Sequence, residues 1–446
     1  MLVRFHCTLL AVATLLGGTS LHAQGRTVAR LFWQDHQNAK MMWGDLQKTS
    51  EGYALAEHEV EGFPALDVDD QSLVQMQTDE GLIVVGVRDE AGGEIGSGWV
   101  AIESGAFQET HGDHYHWRFT SAPSIHTTRV DASQGNPAHV YRYDNAFVMA
   151  NDQKNGFTML TAKSIREAES PEASGSFFEG GGNHITLAVA EGRVAYSTWI
   201  DREGENAGRV DVVGLGNWAG KRYHVHCPSG GLHGATYNSG KVFLAPADGI
   251  CWVEADLDVN RHPDSVVVHH LPIGTDEEDN PLRTGAFQNV GSYVVFSSGK
   301  GEQSRLCFVD ASKSEPTIES LSLQMDEGQS MLTPIVGKGI DGSPIALCFA
   351  ESKDAPENDR LYVVNLDPDR NGSFSDAVAG EPIAVGRSQI EGHFGHHDAV
   401  FLPRGRQMAI TNPGDSSIWV ISLRDQSVAG KFDCTGTPTA LLSISD

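Results

Sequence analysis

Seven stretches of this chain share one layout: an anchor residue, a short apolar strand, a turn containing Gly, Asn or Asp, and a second strand. Four of them open on histidine: "HVYRYDNAFVMANDQKNGFTML" from His139, "HITLAVAEGRVAYSTW" from His184, "HGATYNSGKVFLAPADGICWVE" from His233, and "HDAVFLPRGRQMAITNPGDSSIWVISL" from His397. Versions without histidine begin at Ser72, Thr284 and Thr333. Successive anchors from Ser72 are 67, 45, 49, 51, 49 and 64 residues apart. Helical periodicity is scarce, and short β-branched and aromatic runs dominate. A repeat near this length, with four short strands per unit, is the signature of a β-propeller.

The termini supply one more unit. The strand "TPTALLSIS" from Thr437 follows the last repeat, and "RLFWQD", "KMMWGDL" and "YALAEHEV" precede the first. One C-terminal and three N-terminal strands complete a blade and join the ends of the ring, which removes exposed sheet edges. The expectation is an all-β, eight-bladed propeller forming a single domain over residues 24–446, with seven blades as the alternative. Trp199, Trp252 and Trp419 lie on strand patterns and are expected between blades.

Arg4, an apolar run and Ala23 read as a cleaved secretory signal over residues 1–23. The run is too short to span a bilayer, which needs about 20 apolar residues, and no other stretch approaches that length. The expected product is exported, periplasmic or otherwise, a monomer, and not inserted in a membrane. Its formal charge of −27 becomes −28 when Arg4 leaves. Such a surface repels nucleic acid and anionic lipid and attracts cations. Of six cysteines, Cys7 leaves with the signal, and the five that remain leave at least one thiol free. Cys227 and Cys251 flank one hairpin and are the best candidate pair, whereas Cys307 and Cys348 read as buried apolar residues.

The first strand of each blade lines the central channel, so an anchor at its start lies near one mouth. His139, His184, His233 and His397 are thus expected to converge there. A single such histidine is more often a hydrogen-bonded plug, but four at one repeat position favour a site. Neutral imidazoles suit zinc, copper or nickel better than magnesium or calcium. A second cluster, His393, His396 and His397 in "GHFGHHDAV", precedes an inner strand and points to the same face. The 67-residue interval also contains "HGDHYH", with His111, Asp113, His114 and His116. It reads as an inserted loop at about 105–120 that could reach the channel mouth as a movable arm.

These residues carry a resemblance. "HGDH" from His111, "PAHV" at His139, "CPSGGLHG" from Cys227, "GHF" at His393 followed by "AITNP", and the opening "RLFWQDHQ" together resemble the AztD-type family of periplasmic zinc metallochaperones. No single motif is specific, but the ordered set spans nearly the whole mature chain. The resemblance implies an eight-bladed propeller that binds Zn2+ and passes it to the periplasmic zinc-binding protein of an ABC importer. It carries metal roles over to His111, Asp113, His114, His139, His184, His233 and His393. The chain departs from the family at "GHHD", where His396 and His397 are additional, and at Thr284 and Thr333, where the inner strands lack histidine. Those departures leave open a shifted site, a second site or another role.

Two other readings compete with a non-enzymatic zinc carrier. A metal-dependent hydrolase or lactonase needs an open coordination position and a general base, for which Asp113 and Asp398 are the local candidates. A metal-free interaction propeller would keep its mouth histidines for structure. No G-x-S-x-G, Walker A or H-E-x-x-H motif occurs. "DPDRNGSFSD", from Asp367 to Asp376, matches the start of a calcium loop at Asp367, Asp369, Asn371 and Gly372. It has Val378 where the twelfth position calls for glutamate, so an acidic turn is the better sequence reading. "GTDEEDNP" from Gly274 reads as a solvated acidic loop.

Overall fold

The computed structural model describes residues 25–445 apart from Gly93 and Asp113, and of His114 and Glu302 only the backbone; the leader expected over 1–23 lies outside the described residues. Eight antiparallel sheets, each built on four strand positions, form a β-propeller ring. Blade 1 takes its innermost strand, Pro438–Ser445, from the C-terminus and the next three, Arg26–Asp35, Lys40–Thr49 and Gly52–Leu55, from the N-terminus. Leu31 pairs with Ser443 and Phe32 with Leu442 across the junction. Asp35 Oδ1 accepts the Thr437 N–H at 3.0 Å. Gly436 turns into this contact with φ +71°, where a Cβ would lie 2.1 Å from the Asp35 carboxylate, so no other residue fits without displacing the latch.

Blades 2 to 6 and 8 follow in chain order, each with its first strand innermost. Blade 7 is less regular: its inner position is split into Ser330–Met331 and Ile335–Lys338, and its outer position into Val378–Ala379 and Ile383–Ala384. Second strands are covered on both faces, so Ala146–Asn151 is buried at every residue, whereas the outer strand Val428–Asp433 is largely exposed. Apolar residues of adjacent blades fill the seams. Phe32 and Met41 of blade 1, for example, meet Ile83, Val85 and Val100 of blade 2. Truncating a ring such as the fully buried Phe32 to alanine would cost about 3–5 kcal/mol.

Trp252 is buried, while Trp199 and Trp419 are half-buried beneath the cations of Arg209 and Lys431. Cys307 and Cys348 sit in the seams, and burial pushes both thiols up to about 12. Cys227 and Cys251 are free thiols buried in one cluster, and the Cys251 thiol together with burial holds Cys227 well above the usual thiol range.

Strand direction fixes which face each connection occupies. Inner and third strands both run away from the face where the anchors lie. Turns between strands one and two, and between three and four, therefore fall on the far face. The extra residues of the long first interval form a hairpin, Ala106–His111 with His114–Phe119, between the third strand of blade 2, Ser97–Glu103, and its fourth, Ser124–Asp131. The Ser104 N–H bonds the Gly81 carbonyl at the turn between strands one and two. The hairpin thus stands on the far face and is not an arm over the anchor histidines. Interval length reveals that residues are added, but not which connection receives them.

Candidate metal centre

His139 lies on the inner strand of blade 3, Pro137–Tyr143. His184 and His233 precede the inner strands of blades 4 and 5, Leu187–Ala190 and Ala235–Asn238. Their Nε2 atoms face one another, 3.1 Å apart between His139 and His184 and 3.2 Å between His184 and His233. The ligating atoms of all three lie within 4.8 Å of one another, the spacing at which one ion can bridge them.

Each ring is held from behind by its Nδ1. His184 Nδ1 meets Asp152 Oδ2 at 3.1 Å, and Asp152 Oδ1 accepts the Ile185 N–H. His233 Nδ1 meets the Gly285 carbonyl at 3.0 Å. A carboxylate or carbonyl can only accept, so both rings carry their proton on Nδ1 and turn an Nε2 lone pair inward. Those two lone pairs then confront each other at 3.2 Å, an arrangement that a cation between them relieves. His139 Nδ1 instead meets the amide nitrogen of Gln75 at 3.2 Å, while Gln75 Oε1 accepts the Val140 N–H.

Burial, reinforced by His184, His233, Arg88 and His393, holds His139 well below the usual histidine range. Burial likewise lowers His233, against the raising bond to Gly285. Depressed basicity keeps these imidazoles neutral, the form a metal requires. Beneath them runs a channel of about 690 Å³, lined by Gln75, Tyr141, Tyr143, Tyr237, Phe287 and Asn289 among others.

The other expected site residues fall elsewhere. His393 is exposed on a turn between blades 7 and 8, near enough for its charge to bear on His139. His396 Nδ1 is bound by Glu351 Oε2 at 2.7 Å. His397 does not join the other anchors: it belongs to blade 8, across the ring from blade 4. Its Nδ1 is spent on the Thr411 carbonyl at 2.7 Å, and its Nε2 faces Asp359 Oδ2 at 3.3 Å. On the far-face hairpin, His111 stands opposite His114 in register and pairs with Glu109 at 3.2 Å, and its ring is 5.7 Å from that of His116. Asp113 lies outside the described residues. Asp398 accepts the Leu441 and Ala399 N–H groups, and burial pushes its carboxyl up to about 6.

No protein-family model matches the sequence, and neither does any curated protein sequence. Solved structures do. The fold is similar to that of AztD. The crystal structure of AztD from Citrobacter koseri has a TM-score of 0.64 at 15% identity, covering 94% of this chain and 98% of that one. Its apo form gives 0.62 over the same shares at the same identity. A Bacteroides uniformis protein described as a candidate 6-phosphogluconolactonase gives 0.50 at 10% identity, over 94% of this chain and all of that one. At these identities the shared feature is the propeller, and the AztD fold extends over its whole circumference.

Sequence reasoning did not single out Gln75, Asp152, Gly285, Glu351 or Asp359. Asp152 had a usable signal. The second strand of a blade returns to the mouth where the first begins, so an acid just beyond it, as in "ANDQK", faces the next anchor.

Proposed function

We propose that this chain is an exported zinc-binding protein of the metallochaperone type. It holds Zn2+ on the Nε2 atoms of His139, His184 and His233 and releases it to the zinc-binding protein of an ABC importer. The observation that carries this reading is the inward convergence of three Nε2 atoms, each ring braced through Nδ1. Three nitrogen donors suit zinc and leave a fourth coordination position for an incoming ligand. Ligand-by-ligand exchange is what transfer requires. The exposed His393 turn would offer such a ligand, while the far-face hairpin carrying His111 and His116 would serve as a separate capture point, to which the sequence adds Asp113 and His114. His397 is assigned no ligand role, since both of its ring nitrogens are already occupied, and His396, braced on Glu351 through Nδ1, lies outside the cluster of the three anchors. The sequence resemblance to AztD-type proteins and the similar fold support the same reading.

Among the described residues no helix is long and apolar enough to cross a membrane. A hydrolase would need a base at the triad; Asp152 is committed to His184 and Ile185, and Asp398 to the backbone of Leu441 and Ala399. The test is a zinc titration of the mature chain, followed by transfer to a periplasmic zinc-binding protein and by assays on lactones and esters. One tightly held ion, lost in His139→Ala/His184→Ala and delivered to the acceptor, is expected. Stoichiometric binding that survives the double substitution would overturn the site, and metal-dependent lactone turnover would overturn the carrier role.

A further inference from the structure

The segment Asp367–Asp376 joins the third strand of blade 7, Arg360–Asn365, to its outer strand position. It winds tightly on its own side chains. Asp367 Oδ2 accepts the Gly372 N–H at 3.1 Å, Asp369 Oδ1 the Asn371 N–H at 3.1 Å, and Asn371 Oδ1 the Ser373 N–H at 2.7 Å. Carboxylate oxygens of Asp367, Asp369 and Asp376 lie within 4.8 Å of one another. The neighbouring cation, Arg370, is turned away onto Asp341. The decisive observation is Asp367. It is only 8% exposed, and its Oδ1 is shut off from solvent with no hydrogen-bond partner. A buried carboxylate that sits beside two further acids and keeps one oxygen without a hydrogen bond is costly. A cation seated among the three removes that cost.

We propose that this loop is a calcium site, independent of the histidine triad on blades 3 to 5. Its donors are oxygen only: three carboxylates, with Asn371, Ser373 and Ser375 in the same turn. That set selects a hard ion over zinc, and its irregular shape favours Ca2+ over Mg2+, which demands a compact octahedron. Val378 at the twelfth position supplies no bidentate carboxylate. Affinity should therefore fall in the range of extracellular modules, on the order of 10⁻⁴ to 10⁻³ M. Phe374, inside the loop, is 4% exposed and stacks on Tyr293 of blade 6 at 3.7 Å. An ion that orders the loop thereby fixes the plug of the seam between blades 6 and 7.

The experiment uses the full mature chain. Equilibrium dialysis against ⁴⁵Ca2+ should find one ion per chain, and about 5 mM CaCl2 should raise Tm by about 2 °C relative to NaCl of equal ionic strength. MgCl2 should give a smaller rise. Asp369→Asn with Asp376→Asn, both at exposed positions, should abolish both calcium effects and leave zinc stoichiometry unchanged. Absence of bound calcium in the wild-type chain, or a calcium response that the double variant keeps, would overturn the site. The dialysis result decides the matter even if the variant folds poorly.

Discussion

His184 and His397 occupy equivalent places, each just before an inner strand on the same face of the ring, yet the molecule uses them in opposite ways. Around His397 both ring nitrogens are spent, the imidazole stacks on Phe349 at 5.0 Å, and solvent is excluded. Burial alone would lower its pKa, but the bond to Asp359, with Glu351 and Thr411 behind it, raises it above the usual histidine value. His184 has only Nδ1 spent on an acid, and its Nε2 faces two other imidazoles. An imidazole with both nitrogens occupied is a brace. One with a single nitrogen occupied keeps the other available to a metal. Position in the repeat does not separate the two; the neighbours of each ring do.

The sharpest way to break this comparison is to delete each ring. His184→Ala removes the central member of the triad, and stoichiometric zinc binding should disappear in calorimetry. His397→Ala should leave zinc stoichiometry intact and instead destabilise the fold by about 3 kcal/mol, read from denaturant unfolding. That is the low end for breaking a buried ion pair, because Asp359 keeps the Ser352 and Ser388 N–H groups as partners. Equal effects of the two substitutions on zinc would erase the distinction. A smaller change tests the brace behind the ligand: Asp152→Asn should weaken zinc by about 10–100-fold, the usual effect of losing the carboxylate behind a ligating histidine.

Acid and base should separate the two regions again. His397 has a raised folded-state pKa, so its stabilisation is complete below the unfolded value near 6.5 and fades as pH rises through the folded value. His139 is depressed by burial and its neighbours, so its contribution is present above about 6.5 and is lost as pH falls through its folded value. Replacing His397 by asparagine should flatten the alkaline side of the stability profile, by at most about 1.4 kcal/mol per pH unit. The acid side should stay as it was. A profile unchanged on both sides would show that the Asp359 contact does not hold the charged form.

Much of the fold was legible because a propeller writes itself as a period, and the stray strand from Thr437 announced ring closure. Legibility ended where the period says nothing. It gives the order of the blades, and so makes blades 3, 4 and 5 neighbours and sets blade 8 opposite blade 4, but it could not show that three neighbouring anchors touch. Nor could it place the hairpin bearing His111, which depended on strand direction within blade 2. The calcium loop was visible as "DPDRNG" and passed over for want of a glutamate at Val378. What changed its weight was the burial of Asp367, which no spacing reveals.

The smallest effect is the most specific to this triad. Gln75 is pinned, since its Oε1 accepts the Val140 N–H, and so it turns an amide donor towards His139 Nδ1. That contact leaves the His139 proton on Nε2, pointing at His184, and the proton must move before His139 can ligate. Under the proposed zinc reading, His139 would therefore be the ligand that enters last and leaves first. Gln75→Glu offers an acceptor at nearly the same position. The Nδ1–H would then be held as it is in His184, with the Nε2 lone pair turned inward. Zinc should bind a few-fold tighter, below the roughly 10-fold floor for losing such a partner outright, and should leave for an acceptor protein more slowly by the same factor. Competition against a zinc-sensitive dye gives the first quantity, and stopped-flow transfer gives the second. Weaker binding, or faster release, in this variant would mean that Gln75 steadies His139 as a ligand and does not hold it back.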